Sequence, residues 1–171
     1  MEQQEIPKPP KKESAHSNFR EAMFEHRFIA ELMEYCWQIE FFDVQVLHAE
    51  TDDSGYDLVI SLGKKTSHLQ FKVTKTSTRV PNFPIHARLP EKENAFIFLS
   101  EYEDDHHIDS SLKYMMRISK VEWDKGTEVR NSHNKIRKDV RMISRTKVKG
   151  GGPLDIEGIF KTLGGKAMKD A

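Results

Sequence analysis

Two runs decide the reading of this chain: Gly55-Tyr56-Asp57-Leu58-Val59-Ile60 and His68-Leu69-Gln70-Phe71-Lys72-Val73. Both are short β-type runs with an apolar flank, and both carry polar residues where a buried strand should not. Side chains alternate across a strand, so Gln70 and Lys72 point to one face and Leu69, Phe71 and Val73 to the other. Two such strands side by side present an acid, an amide and an ammonium group together. Burying those groups is costly unless they pair or bind something, so the arrangement points to a site.

The flanking sequence places both runs in a meander. Phe41 to Ala49 reads as a strand, Asp52-Asp53-Ser54-Gly55 as a turn, and Tyr56 to Leu62 as the second strand. Gly63-Lys64-Lys65-Thr66 then turns the chain into a third strand, His68 to Thr74. Before them, Phe24, Phe28, Ile29, Leu32, Met33 and Cys36 recur at helical spacing, which predicts a helix from Phe19 to about Ile39 with Ser17 or Asn18 as its cap. Residues 76–94 contain Pro81, Pro84 and Pro90 and read as a loop or irregular crossing. The continuous apolar run Ala95-Phe96-Ile97-Phe98-Leu99 predicts a strand buried on both faces. Beyond it lie an acidic, His-containing loop (101–109), a strand over 113–118, a short helix capped by Ser119 and running to Trp123, and a strand over 139–147. Gly150-Gly151-Gly152-Pro153 is a hinge before a helix carrying Leu154, Ile156, Ile159, Phe160 and Leu163, which Gly164-Gly165 ends.

Composition sets the outer bounds. The 171 residues fit one domain, read as 17–171 behind a polar, proline-rich flexible arm over 1–16, with a core at about 19–99 and an extension at about 100–171. Lys+Arg 27 against Asp+Glu 27 gives no net charge, so the total says nothing about partners. No apolar run is long enough to span a bilayer and no signal-peptide core follows Met1, so an intracellular or cytoplasmic protein with no membrane partner is expected. Cys36 is the single cysteine, which excludes an internal disulfide and a multi-cysteine zinc site.

The order helix, strand, strand with Asp57, strand with Gln70-x-Lys72 resembles the PD-(D/E)XK nuclease superfamily over about residues 19–99. The resemblance implies an α/β (α+β) fold, a central mixed β-sheet flanked by helices with a restriction-endonuclease-like core. It also implies a Mg2+- or Mn2+-dependent nuclease acting on DNA, in which Asp57, Gln70 and Lys72 are the catalytic positions and Glu25 is the acid of the first helix. Most members carry a carboxylate where this chain has Gln70, so it reads as a Gln-x-Lys variant. Magnesium takes hard oxygen ligands, usually one or two carboxylates with waters and phosphate. Asp57 and Glu25 supply carboxylates, Gln70 an amide oxygen, and Phe71 a backbone carbonyl. Lys72 would orient or help deprotonate the attacking water and stabilise charge on the phosphate. Glu25 precedes Phe28 and Ile29 by three and four residues, which puts it on the sheet-facing stripe. Many relatives act as dimers, so the resemblance also implies a homodimer.

Other candidates carry less. Asp104-Asp105-His106-His107-Ile108-Asp109 holds metal-ligand residue types, but adjacent His residues point apart in an extended chain. Cys36 sits on the apolar helix stripe and reads as a buried thiol. Residues 113–149 hold twelve Lys or Arg against four Asp or Glu, a local excess of +8 that suits a phosphate backbone or a solvated face. Lys135, Arg137 and Lys138 are its densest cluster, and Lys75, Arg79 and Arg88 extend the track from the site. Two readings stand beside the nuclease: a non-catalytic nuclease-fold protein that binds nucleic acid or a protein, and a structural adaptor.

Overall fold

Phe24, Phe28, Leu32 and Cys36 recur every fourth residue, a spacing that puts them on one stripe of a helix. The computed structural model describes residues 17–49, 55–78, 82–103 and 111–166, and this helix, α1, spans Ser17–Gln38 with all four side chains buried. Ser17 and Asn18 are its first two residues rather than its cap, and the arm over 1–16 lies outside the described residues. At the other end Glu40 takes a left-handed conformation, φ 57°. Its N–H donates to the Trp37 carbonyl at 3.1 Å and the Phe41 N–H to the Cys36 carbonyl at 2.8 Å. These bonds satisfy carbonyls that the last turn would leave orphaned.

The expected meander follows as β1 (Val44–His48), β2 (Leu58–Leu62) and β3 (Lys65–Lys75), paired antiparallel with Val44 opposite Leu62 and Leu58 opposite Leu69. The run at 95–99 is part of β5 (Ala95–Tyr102), which pairs parallel with β3, and β6 (Leu112–Arg117) closes a five-stranded mixed sheet in the order β1-β2-β3-β5-β6. Every residue of β5 is buried. Its alternating side chains divide between two cores: Phe96, Phe98 and Tyr102 join the α1 stripe, and Ala95, Ile97 and Leu99 face the other way. The last helix, α4 (Ile156–Thr162), starts with Asp155 accepting from the Gly158 N–H at 2.7 Å and adds Ile159, Phe160 and Leu163 to the α1 side.

The opposite face is covered by a second, three-stranded sheet that the sequence reading did not anticipate. Its strands are β4 (Asn82–His86), β7 (Thr127–Arg130) and β8 (Ile136–Ser144), in the order β4-β8-β7. Pro81 and Pro84 signal a loop, yet Pro84 sits opposite Met142 on an edge strand, where a missing N–H is tolerated. The predicted strand over 139–147 starts earlier and stops at Ser144, where a one-turn helix, α3 (Arg145–Val148), takes over. The short helix α2 (Lys120–Asp124) forms as expected, with Ser119 accepting from the Glu122 N–H and Trp123 Nε1 donating to the Ile85 carbonyl at 3.0 Å. No helix of the described residues is long and apolar enough to cross a membrane.

Glu101 corrects the loop expected at 101–109. It lies in β5 with a side-chain exposure of 0%, held by Arg145 Nε at 2.5 Å and Lys149 Nζ at 2.8 Å. Arg145 also donates to the Thr78 carbonyl at 2.7 Å, tying the end of β3 to α3. Burial pushes the Glu101 carboxyl up, but the hydrogen bonds and charges of Arg145 and Lys149 outweigh it and hold it below the ordinary Glu range. Glu101→Ala leaves two cations facing an apolar gap and is expected to cost about 3–5 kcal/mol, read as a lowered denaturant midpoint. The stabilisation is full above the ordinary Glu range and is lost as pH falls through the depressed folded value. Wild type should therefore weaken on acidification, and Glu101→Gln should show a flatter pH profile; parallel profiles would remove the buried pairing as the cause.

Candidate active site

β3 has eleven residues and β2 five, so β3 runs past the start of β2 at Leu58. Along that overhang one edge of β3 has no neighbouring strand. Asp57 takes up part of it: its own N–H donates to the Leu69 carbonyl at 2.8 Å, and its Oδ2 accepts the Phe71 N–H at 2.5 Å. By strand geometry the Phe71 carbonyl lies on the same edge as its N–H. Leu69 and Phe71 enter the α1-side core, and Gln70 and Lys72 line a cleft of about 300 Å³ with Asp57 and Tyr56. The cleft's other wall is the second sheet, through Pro84, His86 and Val140.

Gly55 brings the two walls together. It has φ 74°, and a Cβ there would lie 3.1 Å from the Leu89 nitrogen and 3.2 Å from His86 Cβ. Only glycine combines that conformation with so close an approach. The segment carrying Asp57 is thereby seated against the corner where β4 ends. The predicted turn residues Asp52, Asp53 and Ser54 lie outside the described residues, as do Glu50, Arg79 and the 104–109 loop with its two histidines.

Three of the four expected residues, Asp57, Gln70 and Lys72, converge on this cleft. Gln70 Oε1 is buried with no hydrogen-bond partner among the described residues. An amide oxygen in that condition costs free energy, and a ligand that it coordinates would recover it. Glu25 does not line the cleft. It stands beside it, with Oε1 2.9 Å from His48 Nδ1. The helix residue that does line the cleft is Glu21, whose Oε1 is 3.9 Å from Lys72 Nζ. Sequence reasoning missed it, although Glu21 precedes Glu25 by one helical turn and so shares its face.

Both helix carboxyls are held above the ordinary Glu range. For Glu21 burial is the main cause, opposed by Lys72 and reinforced by the charges of Asp57 and Glu25. For Glu25 burial again leads, opposed by His48 and reinforced by Asp57. Burial and the mutual repulsion of the carboxylates thus outweigh the neighbouring cations at both positions. Among the described residues no three His, Cys, Asp or Glu side chains form a ready-made metal cluster. Asp57, Glu21 and the unpaired Gln70 oxygen are the oxygen donors lining the cleft itself. Cys36 is buried, and burial raises its thiol pKa, so it is no nucleophile.

The basic excess over 113–149 is largely paired. Lys113 meets Glu31 at 2.6 Å, Arg141 meets Glu128 at 3.0 Å, Lys147 meets Glu122 at 2.7 Å, and Arg145 and Lys149 share Glu101. Arg137 pairs with Asp139. Lys135 and Lys138 are exposed on the β7–β8 hairpin with no ion-pair partner among the described residues. Lys75 is the last residue of β3, and Arg88 is exposed.

No family model matches the chain, and no curated protein matches it. Among solved structures it is similar to Hjc, a Holliday junction resolvase from the archaeal hyperthermophile Archaeoglobus fulgidus. The identity is 12% and the TM-score 0.46, covering 86% of this chain and 98% of that one. A bacterial homing endonuclease is similar at 17% identity and a TM-score of 0.38, covering 60% of this chain and 65% of that one.

The carboxylate crowding has a measurable consequence. In EDTA at pH 7, Glu21→Gln removes a half-buried charge from beside Glu25 and Asp57. It is expected to raise the melting temperature by about 1–2 °C, a small change because the side chain is 40% exposed and water screens the repulsion. A lowered melting temperature would mean that the Lys72 contact outweighs the repulsion.

Proposed function

We propose that this chain is a metal-dependent nuclease that hydrolyses phosphodiester bonds of DNA. The reading is supported chiefly by one observation: Asp57, Gln70 and Lys72 line one cleft, and Gln70 Oε1 is buried without a hydrogen-bond partner among the described residues. The donor set suits a hard cation. Asp57 and Glu21 carboxylates, the Gln70 amide oxygen and the Phe71 carbonyl would hold magnesium or manganese, with Glu25 as a further carboxylate on the same helix. When bound, such an ion neutralises charge developing on the phosphate.

The chain's own residues supply the rest. Asp57 is fixed by the Phe71 N–H, so its remaining carboxylate oxygen has a defined position. Lys72, with 20% side-chain exposure, brings an ammonium into a partly dehydrated cleft, where its Nζ–H groups donate to the attacking water or a phosphate oxygen. His48 holds Glu25 and so sets where that carboxylate can reach. The second reading, a DNA-binding chain without catalysis, is favoured by Gln70 itself, because a neutral amide lowers the charge available to a divalent ion.

Plasmid digestion with magnesium or manganese is the deciding experiment. Asp57→Ala is expected to abolish manganese binding at the cleft with the fold intact; equal affinities in a titration would place any ion elsewhere. Lys72→Ala should cut cleavage about 10²-fold while leaving ion binding nearly unchanged. Gln70→Ala should reduce cleavage. Gln70→Glu should tighten ion binding and keep or raise cleavage, and a wild type that never cleaves while Gln70→Glu does would select the non-catalytic reading.

DNA affinity should fall steeply with salt if the hairpin contacts phosphate. Lys135→Glu with Lys138→Glu should weaken binding on every sequence alike and flatten that dependence. Arg137→Glu should matter less, because Asp139 already neutralises it. Indifference to all three changes would leave the hairpin a solvated surface.

A further inference from the structure

His86 is the polar residue of a wall otherwise made of Pro84 and Val140, the latter its register partner on β8. Its mounting is rigid. The Arg88 N–H donates to His86 Nδ1 at 3.2 Å, and the Ala87 N–H donates to the Asp139 carbonyl at 2.8 Å, which pins the turn after β4 to β8. With Nδ1 accepting, the proton of the neutral ring sits on Nε2. Among the described residues nothing accepts from that Nε2, and the ring lines the cleft. Gly55 meanwhile packs 3.2 Å from His86 Cβ, as a β-carbon there would measure it, two residues before Asp57. An imidazole whose Nδ1 accepts a backbone N–H is therefore held on the wall of the cleft that Lys72 also lines.

We propose that His86 is a substrate-contacting residue, its Nε2–H donating to a phosphate oxygen of the DNA strand seated between it and Lys72. The proposal rests on the DNA reading given above, and it adds a second grip from the opposite sheet. An imidazole N–H on a ring held from its other nitrogen donates in one defined direction, which suits a single phosphate oxygen.

The test separates contact from cleavage. Affinity for a short fluorescein-labelled DNA duplex is measured in EDTA, where nothing is cut, for wild type, His86→Leu, His86→Gln and Lys72→Ala. His86→Leu fills the space without a donor and should bind about tenfold more weakly; His86→Gln keeps a distal N–H and should stay within about threefold of wild type. Long-range nitrogen–proton spectra of the imidazole should show the proton on Nε2 and a shift of that signal on adding duplex. If His86→Leu fails to fold, the Gln variant and the spectra decide. Wild-type affinity in His86→Leu, or a ring that carries its proton on Nδ1, overturns the proposal. Weakened binding by His86→Leu with no cleavage by any chain would sink the nuclease reading and keep the contact. Metal-dependent cleavage that ignores His86→Leu would do the reverse, and a wild type that binds no duplex removes both.

Discussion

A length mismatch between two neighbouring strands organises this molecule. β3 outruns β2 by several residues, and the parallel partner β5 supports it on one side only. The overhang exposes backbone donors and acceptors that must be satisfied. Asp57, at the end of the shorter strand, satisfies one of them through the Phe71 N–H, and the rest of the gap becomes the cleft. The carboxylates of α1, the amide and ammonium of β3 and the wall of the second sheet all gather at this interruption.

That geometry explains what the sequence made legible. α1 announces itself through a four-residue apolar repeat, and β2 and β3 through polar residues set into apolar strands. Ala95 to Leu99 of β5 form a continuous apolar run because the strand is packed on both faces, and every residue of it is buried. These signals are local, so a single sequence suffices. The second sheet is signalled only in part: the strand over 139–147 was legible as most of β8, but β4 carries a proline and β7 is Thr-Glu-Val-Arg, so the pairing of β4 with the distant β8 was not. Glu21 was hidden for a related reason: which of several helix carboxylates enters a cleft depends on where the opposite wall stands. His86 belongs to that wall and was hidden with it.

Charge follows the same division. The excess of cations over 113–149 looks like a binding surface when counted along the chain. In space Glu31 and Glu101, from outside the segment, meet Lys113, Arg145 and Lys149. Those pairs fasten layers together, whereas the acids beside Asp57 repel one another and are offset in part by Lys72, His48 and His26. Stabilising charge and repelling charge thus occupy separate places.

The second sheet's position in the chain order has a consequence for biosynthesis. β4 emerges from the ribosome between β3 and β5, yet its partner β8 follows some fifty residues later, at Ile136–Ser144. The five-stranded half can begin to assemble while β4 is still single. For that interval Glu21, Asp57, Gln70 and Lys72 stand on a half-built site with no facing wall. A nascent or prematurely terminated chain would hold the acids without the enclosure. The second wall of the cleft therefore closes only after the residues through Ser144 have been added, later than the strands that carry Asp57, Gln70 and Lys72.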